Sequence, residues 1–116
     1  MNLTKNFSLE EMVFSDIANV KKIANVPDAI QTANLKALCE KVLQPARDKL
    51  GKAIHVNSGF RSPVLNIAVN GAKNSQHQLG EAADITMGSK EANKMLFAVI
   101  EQLGNYDQLI DEKNYT

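Results

Sequence analysis

Residues 56–85 read "VNSGFRSPVLNIAVNGAKNSQHQLGEAADI", and the fold turns on how this stretch is divided. It enters on alternation: Ile54 and Val56 share one face and His55 the other, which predicts a strand over about 53–57. Ser62 followed by Pro63 is an N-cap and first-turn pair, so a short helix follows, closed by Gly71. The loop 72–81 is polar and leads into a second strand at about 82–87, "AADITM". Both strands carry polar residues at their ends, where a scaffold usually presents a site.

The chemistry of that loop and strand is specific in kind. A neutral imidazole and a carboxylate both suit zinc, so His77 and Asp84 are candidate metal ligands. Gly80 lets the chain turn back between them, and Ala82 and Ala83 leave room behind. Asp84 lies in an otherwise apolar strand, where a carboxylate is costly to bury unless paired or metal-bound. A hydrogen bond between the two side chains accounts for the same spacing, and a catalytic zinc needs three protein ligands plus water. The other histidine, His55, reads as a half-exposed strand residue. Arg61 leaves the first strand with a fork suited to a carboxylate, or to a structural ion pair with Asp84 or a nearby loop acid.

Outward from this stretch the pattern is helical. Ser8 and Glu11 form a capping-box pair, with Phe7 and Met12 as a hydrophobic staple and Met12, Val13 and Ile17 as the apolar face. Residues 19–28 read as a connection. From Asp28 to Leu50, Ile30, Ala33, Leu35, Leu38, Val42, Leu43, Ala46 and Leu50 recur at helical spacing, with a kink expected at Pro45 and a C-cap at Gly51. Beyond the second strand, Ser89 caps a helix over about 90–103, and "YDQLI" (106–110) reads as a third strand. The elements add up to one α+β domain.

With 116 residues, 44% hydrophobic and 22% charged, the chain is of globular rather than disordered composition. Thirteen basic and thirteen acidic residues cancel, so no global field recruits nucleic acid, and no apolar run approaches the roughly 20 residues that cross a bilayer. The opening "MNLTKNFSLEEM" lacks the apolar segment of a signal peptide. Cys39, the one cysteine, permits no intrachain disulfide and sits on the helical pattern as a small core hydrophobe.

Taken together, 56–85 resembles the zinc D-Ala-D-Ala carboxypeptidase-like peptidases of the M15 group, closest to the small phage and bacterial branch that shares its metal-site fold with the hedgehog domain. The pattern S-G-[YF]-R-S, then N, then S-x-H-x-x-G-x-A-x-D is met by Ser58, Gly59, Phe60, Arg61, Ser62, then Asn66, then Ser75, His77, Gly80, Ala82 and Asp84. "VLQPARDKLG" and "DQLI" fit as well, so the resemblance runs over about 7–112. It implies a small antiparallel sheet packed against helices, Zn2+ as cofactor with His77 and Asp84 among its ligands, and a peptidoglycan stem peptide as substrate. It also implies that Arg61 steadies a substrate carbonyl or carboxylate, that Ser75 contacts substrate or braces its loop, and that Glu112 is the general base. An enzyme made in the cytoplasm and acting at the cell wall, encoded by a phage or a bacterium, is the corresponding expectation. In this family the third ligand is a histidine in a W-x-H segment shortly after that acid. None precedes Thr116, so the expectation is a domain over 1–116 truncated at its C-terminal side, or an inactive module that binds wall peptide or a protein partner.

Overall fold

A computed structural model describes residues 1–103; the strand expected at 106–110, and Glu112, lie outside them. Helix α1 (Leu9–Val13) starts as its sequence requires. Ser8 Oγ accepts from the Glu11 amide at 3.1 Å and Glu11 Oε1 from the Ser8 amide at 3.4 Å. Phe7 and Met12 are both buried in the core. A second helix, α2 (Asp16–Lys21), occupies part of the expected connection, capped by Ser15, whose Oγ accepts from the Ala18 amide at 3.1 Å. Only Ala18 of α2 is buried, and Ile17 is 40% exposed rather than part of the core face.

The long helical pattern is three pieces: α3 (Ala29–Leu38), a π turn over Cys39–Leu43, and α4 (Gln44–Leu50). Where a kink was expected, the chain meets Pro45 with this wider turn, in which the Gln44 amide reaches back to the Cys39 carbonyl. The extra residue makes room for a ring that would crowd the preceding turn, and Pro45 falls in the first turn of α4, where no amide is needed. Leu35, Leu38, Cys39, Val42, Leu43 and Ala46 are buried, but Ile30 is 74% exposed, because α3 joins the core only from Leu35 onward. Gly51 ends α4 in the left-handed conformation at φ 68°.

Strands β1 (His55–Ser58) and β2 (Asp84–Thr86) pair antiparallel, both shorter than expected. Val56 stands opposite Ile85, but Ser58 stands opposite Asp84, so residues 57 and 58 together oppose one residue, as in a β-bulge. By strand alternation, Ser58 should share the buried face of Val56; the bulge turns it to the other face, where Asp84 lies. Helix α5 (Pro63–Ala68) follows its Ser62 cap. It ends earlier than expected, with Asn70 rather than Gly71 taking the left-handed position at φ 57°. A short 3-10 turn (Gln76–Leu79) precedes β2. Helix α6 (Lys90–Leu103), capped by Ser89, buries Leu96, Phe97 and Ile100 and packs against α4. The fold is α+β, a small antiparallel sheet against helices. Among the described residues no helix is long and apolar enough to cross a membrane.

Candidate metal centre

The site is assembled from the 3-10 turn, the start of β2 and the loop 59–62 after β1. Ser75 caps the 3-10 turn, its Oγ accepting the His77 amide at 3.2 Å, and Gly80 closes it in the left-handed conformation at φ 77°. Helix α3 holds the turn from beneath. Gln31 Nε2 donates to the Gln78 carbonyl at 3.0 Å and Asn34 Nδ2 to the Leu79 carbonyl at 2.8 Å. Gly80 lies so close to α3 that an added Cβ would stand 2.5 Å from the Gln31 carbonyl oxygen. The turn is therefore pinned both in conformation and in position.

This places the buried His77 ring with Nδ1 2.6 Å from the Gly59 carbonyl oxygen. A carbonyl only accepts, so Nδ1 carries the proton and Nε2 faces outward with its lone pair when the ring is neutral. Nε2 lies 3.5 Å from Asp84 Oδ1. Two acceptors pointed at each other call for a proton or a cation between them. Bonds of about 2.0–2.2 Å at a tetrahedral angle put two zinc donors roughly 3.3–3.5 Å apart, so this donor pair fits zinc. The carbonyl behind His77 is the kind of partner that fixes a metal-ligating imidazole.

Arg61 holds the far side of Asp84, NH2 to Oδ2 at 3.3 Å, with Nε on Ser58 Oγ at 3.1 Å and NH1 on Asn66 Oδ1 at 3.3 Å. The structural ion pair with Asp84 is thus formed, with both side chains largely shielded from solvent. Asn66 is itself buried and tied to the Ala72 carbonyl at 2.8 Å. Gly71 serves this corner through its missing side chain, since a Cβ there would overlap Asn66 Oδ1. Beside Arg61 opens a cleft of about 320 Å³ between the start of α2 and β1, lined among others by Phe14, Asp16, His55 and Ser58. His55 is exposed in that cleft and does not join His77. Among the described residues no group of three His, Cys, Asp or Glu side chains is placed to hold a metal. They contribute a pair.

The expected residues Arg61, His77 and Asp84 are thus brought together, with Ser75 beneath His77. Sequence reasoning gave no role to the Gly59 carbonyl, Ser58, Asn66, Gln31 or Asn34. Ser58 and Asn66 stood in the motif, but a carbonyl and two helix-surface amides give no signal in a single sequence.

A family model for peptidase M15 matches residues 5–115. The chain belongs to the peptidase M15 family. The zinc D-Ala-D-Ala carboxypeptidase of Streptomyces albus G is 51% identical to it over 49 residues, which make up 41% of this chain and 19% of that protein. This M15 chain therefore aligns with about a fifth of the length of that relative.

Proposed function

We propose that this M15 chain is a zinc metallopeptidase domain, spanning 1–116, that hydrolyses peptidoglycan stem peptides as a carboxypeptidase or endopeptidase. The observation that carries the reading is the His77 Nε2 and Asp84 Oδ1 pair, 3.5 Å apart, with the imidazole held from behind by the Gly59 carbonyl and the carboxylate by Arg61. The partial identity to a protein named as a zinc D-Ala-D-Ala carboxypeptidase supports it.

His77 and Asp84 would hold zinc, completed by a third protein ligand outside this pair. When bound, zinc supplies a Lewis acid that polarises the scissile carbonyl and prepares water for attack near neutral pH. Gly59 keeps the imidazole proton on Nδ1, so Nε2 stays a donor to the metal. Among the described residues Arg61 uses three of its five N–H groups, on Ser58, Asn66 and Asp84, leaving two to meet negative charge on a substrate carbonyl or carboxylate entering beside the cleft. Ser75 Oγ accepts the His77 amide, so it braces the loop, and its hydroxyl proton, which no described residue takes, would reach toward substrate. Glu112, assigned by resemblance, takes the proton of the attacking water and returns it to the leaving amine.

The test measures zinc affinity and new amino groups released from purified peptidoglycan, for wild type, His77→Ala and Asp84→Ala. We expect each substitution to weaken zinc binding by on the order of 100-fold or more and to abolish amine release. Wild-type zinc affinity in either variant refutes the ligand assignment. Wall binding by zinc-saturated protein without amine release would instead establish a binding module.

A further inference from the structure

Loop 59–62 carries both the carbonyl that orients His77 and the side chain that orients Asp84, so whatever fixes this loop sets the site. Its peptide groups are clamped in succession. In the Gly59–Phe60 unit, the Phe60 amide donates to the Met12 carbonyl at 2.8 Å while the Gly59 carbonyl accepts from His77 Nδ1. In the Phe60–Arg61 unit, the Arg61 amide donates to the His77 carbonyl at 3.0 Å, and the Phe60 carbonyl accepts from Asn25 Nδ2 at 3.0 Å. In the Arg61–Ser62 unit, the Ser62 amide donates to Asn25 Oδ1 at 2.7 Å. Asn25 Nδ2 makes one further bond, to the Val13 carbonyl behind α1, at 2.8 Å.

A single carboxamide from the segment between α2 and α3 thus spans two consecutive peptide units of the loop and fastens them to the end of α1. It acts as a neighbouring strand would, with its amine on one carbonyl and its oxygen on the next amide but one. No other side chain bonds the backbone of this loop from the α1–α3 side among the described residues. Val13, which Asn25 also holds, directly follows Met12, the acceptor for Phe60. Both supports of the loop therefore converge on one end of α1.

We infer that Asn25 is a positioning residue for the metal centre: it fixes loop 59–62 so that the Gly59 carbonyl holds the His77 proton on Nδ1 and Arg61 meets Asp84. The consequence for zinc rests on the ligand reading above; the consequence for the His77 ring does not. Without the clamp the Phe60 carbonyl and the Ser62 amide lose their partner, the loop relaxes toward solvent, and the Gly59 carbonyl leaves Nδ1. The neutral imidazole then returns to a mixture of tautomers, and its Nε2 is no longer reserved as a donor.

The experiment compares wild type, Asn25→Ala, Asn25→Asp and, as a stability control, Gln44→Ala. Gln44 makes a comparable set of bonds to Thr4, Asn6 and Asp48 and none to the loop 59–62. The first readout is the nitrogen NMR spectrum of the His77 ring in metal-free protein, at a pH high enough to leave the imidazole neutral. The second is zinc affinity. Wild type and Q44A should show the Nδ1–H tautomer alone. N25A should show a mixture and bind zinc about tenfold or more weakly, as loss of a partner behind a ligand does. N25D keeps the acceptor for Ser62 but turns an oxygen toward two carbonyls, so it should shift the ring as N25A does, and it carries the test if N25A does not fold. A pure Nδ1–H tautomer in folded N25A or N25D overturns the inference, as does an equal shift in Q44A. If the tautomer shifts but wild type takes up no zinc, the positioning role stands and the metal reading falls.

Discussion

Gly59→Ala is the substitution on which the loop geometry is most exposed to refutation. Gly59 needs no unusual backbone angle; what it needs is space. A Cβ would overlap the Met12 carbonyl oxygen and lie 3.1 Å from its carbon, both main-chain atoms that no rotamer change can move. To admit the methyl group the loop must lift off α1, breaking the 2.8 Å bond from the Phe60 amide and leaving two buried groups without partners. The unmade bond costs about 1–3 kcal/mol and residual overpacking about 1–3 kcal/mol; partial relaxation trades one against the other, so about 2–4 kcal/mol is expected in all. Gly51→Ala is the comparison, because there φ is 68° and nothing lies within 4 Å. Only left-handed strain is added, about 1 kcal/mol. In urea unfolding with a slope of about 1.5 kcal/mol per M, G59A should lower the midpoint by roughly 1.3–2.7 M and G51A by about 0.7 M. Equal midpoints for the two variants, or G59A within about 0.3 M of wild type, would refute the close approach of loop and helix.

Arg61→Lys keeps the charge but not the fork that reaches Ser58, Asn66 and Asp84 together. Zinc affinity should fall by about tenfold as Asp84 loses its brace, with a larger loss in amine release; an unchanged affinity would mean that Asp84 is oriented without Arg61. Burial, helped by the charges of Glu11 and Glu40, pushes the Cys39 thiol up from its ordinary 9.0 to about 12. The unfolded thiol ionises first, so this group's contribution to stability is whole below pH 9 and is lost between pH 9 and 12. At pH 8 the folded protein should leave Cys39 unreacted with a thiol reagent until urea unfolds it, and rapid stoichiometric labelling of native protein would contradict the burial.

Much of this was legible because the signals were local. The Ser8–Glu11 and Ser62–Pro63 starts are local hydrogen-bond chemistry, and the His77, Gly80 and Asp84 spacing points to one corner whatever the rest of the chain does. Helix α2 was hidden because Ile17 and Val20 face outward, at 40% and 79% exposure, so its apolar residues mark no core stripe. The π turn was hidden because Pro45 announces an obstacle without saying how the backbone avoids it. Asn25, Gln31 and Asn34 act through side-chain amides on main-chain groups far away in sequence, and such bonds leave no periodic trace. The ring proton of His77 depends on a glycine carbonyl 18 residues earlier, which no residue type encodes.

The bulge in β1 gives the strand that leads to the site one residue of slack in chain length. Asn57 is exposed, and replacing it should be cheap. Deleting it would restore strict alternation with Ser58 directly after Val56, still opposite Asp84 and still on the face that meets Arg61. The strand thus carries a frame with one residue of slack: a lineage can vary or lose the letter at position 57, whereas a gap at 55 would put Val56 out of phase with Ile54. Single-residue deletions across 53–58, scored against substitutions at the same positions, would reveal that frame as one tolerated position at 57 between intolerant neighbours.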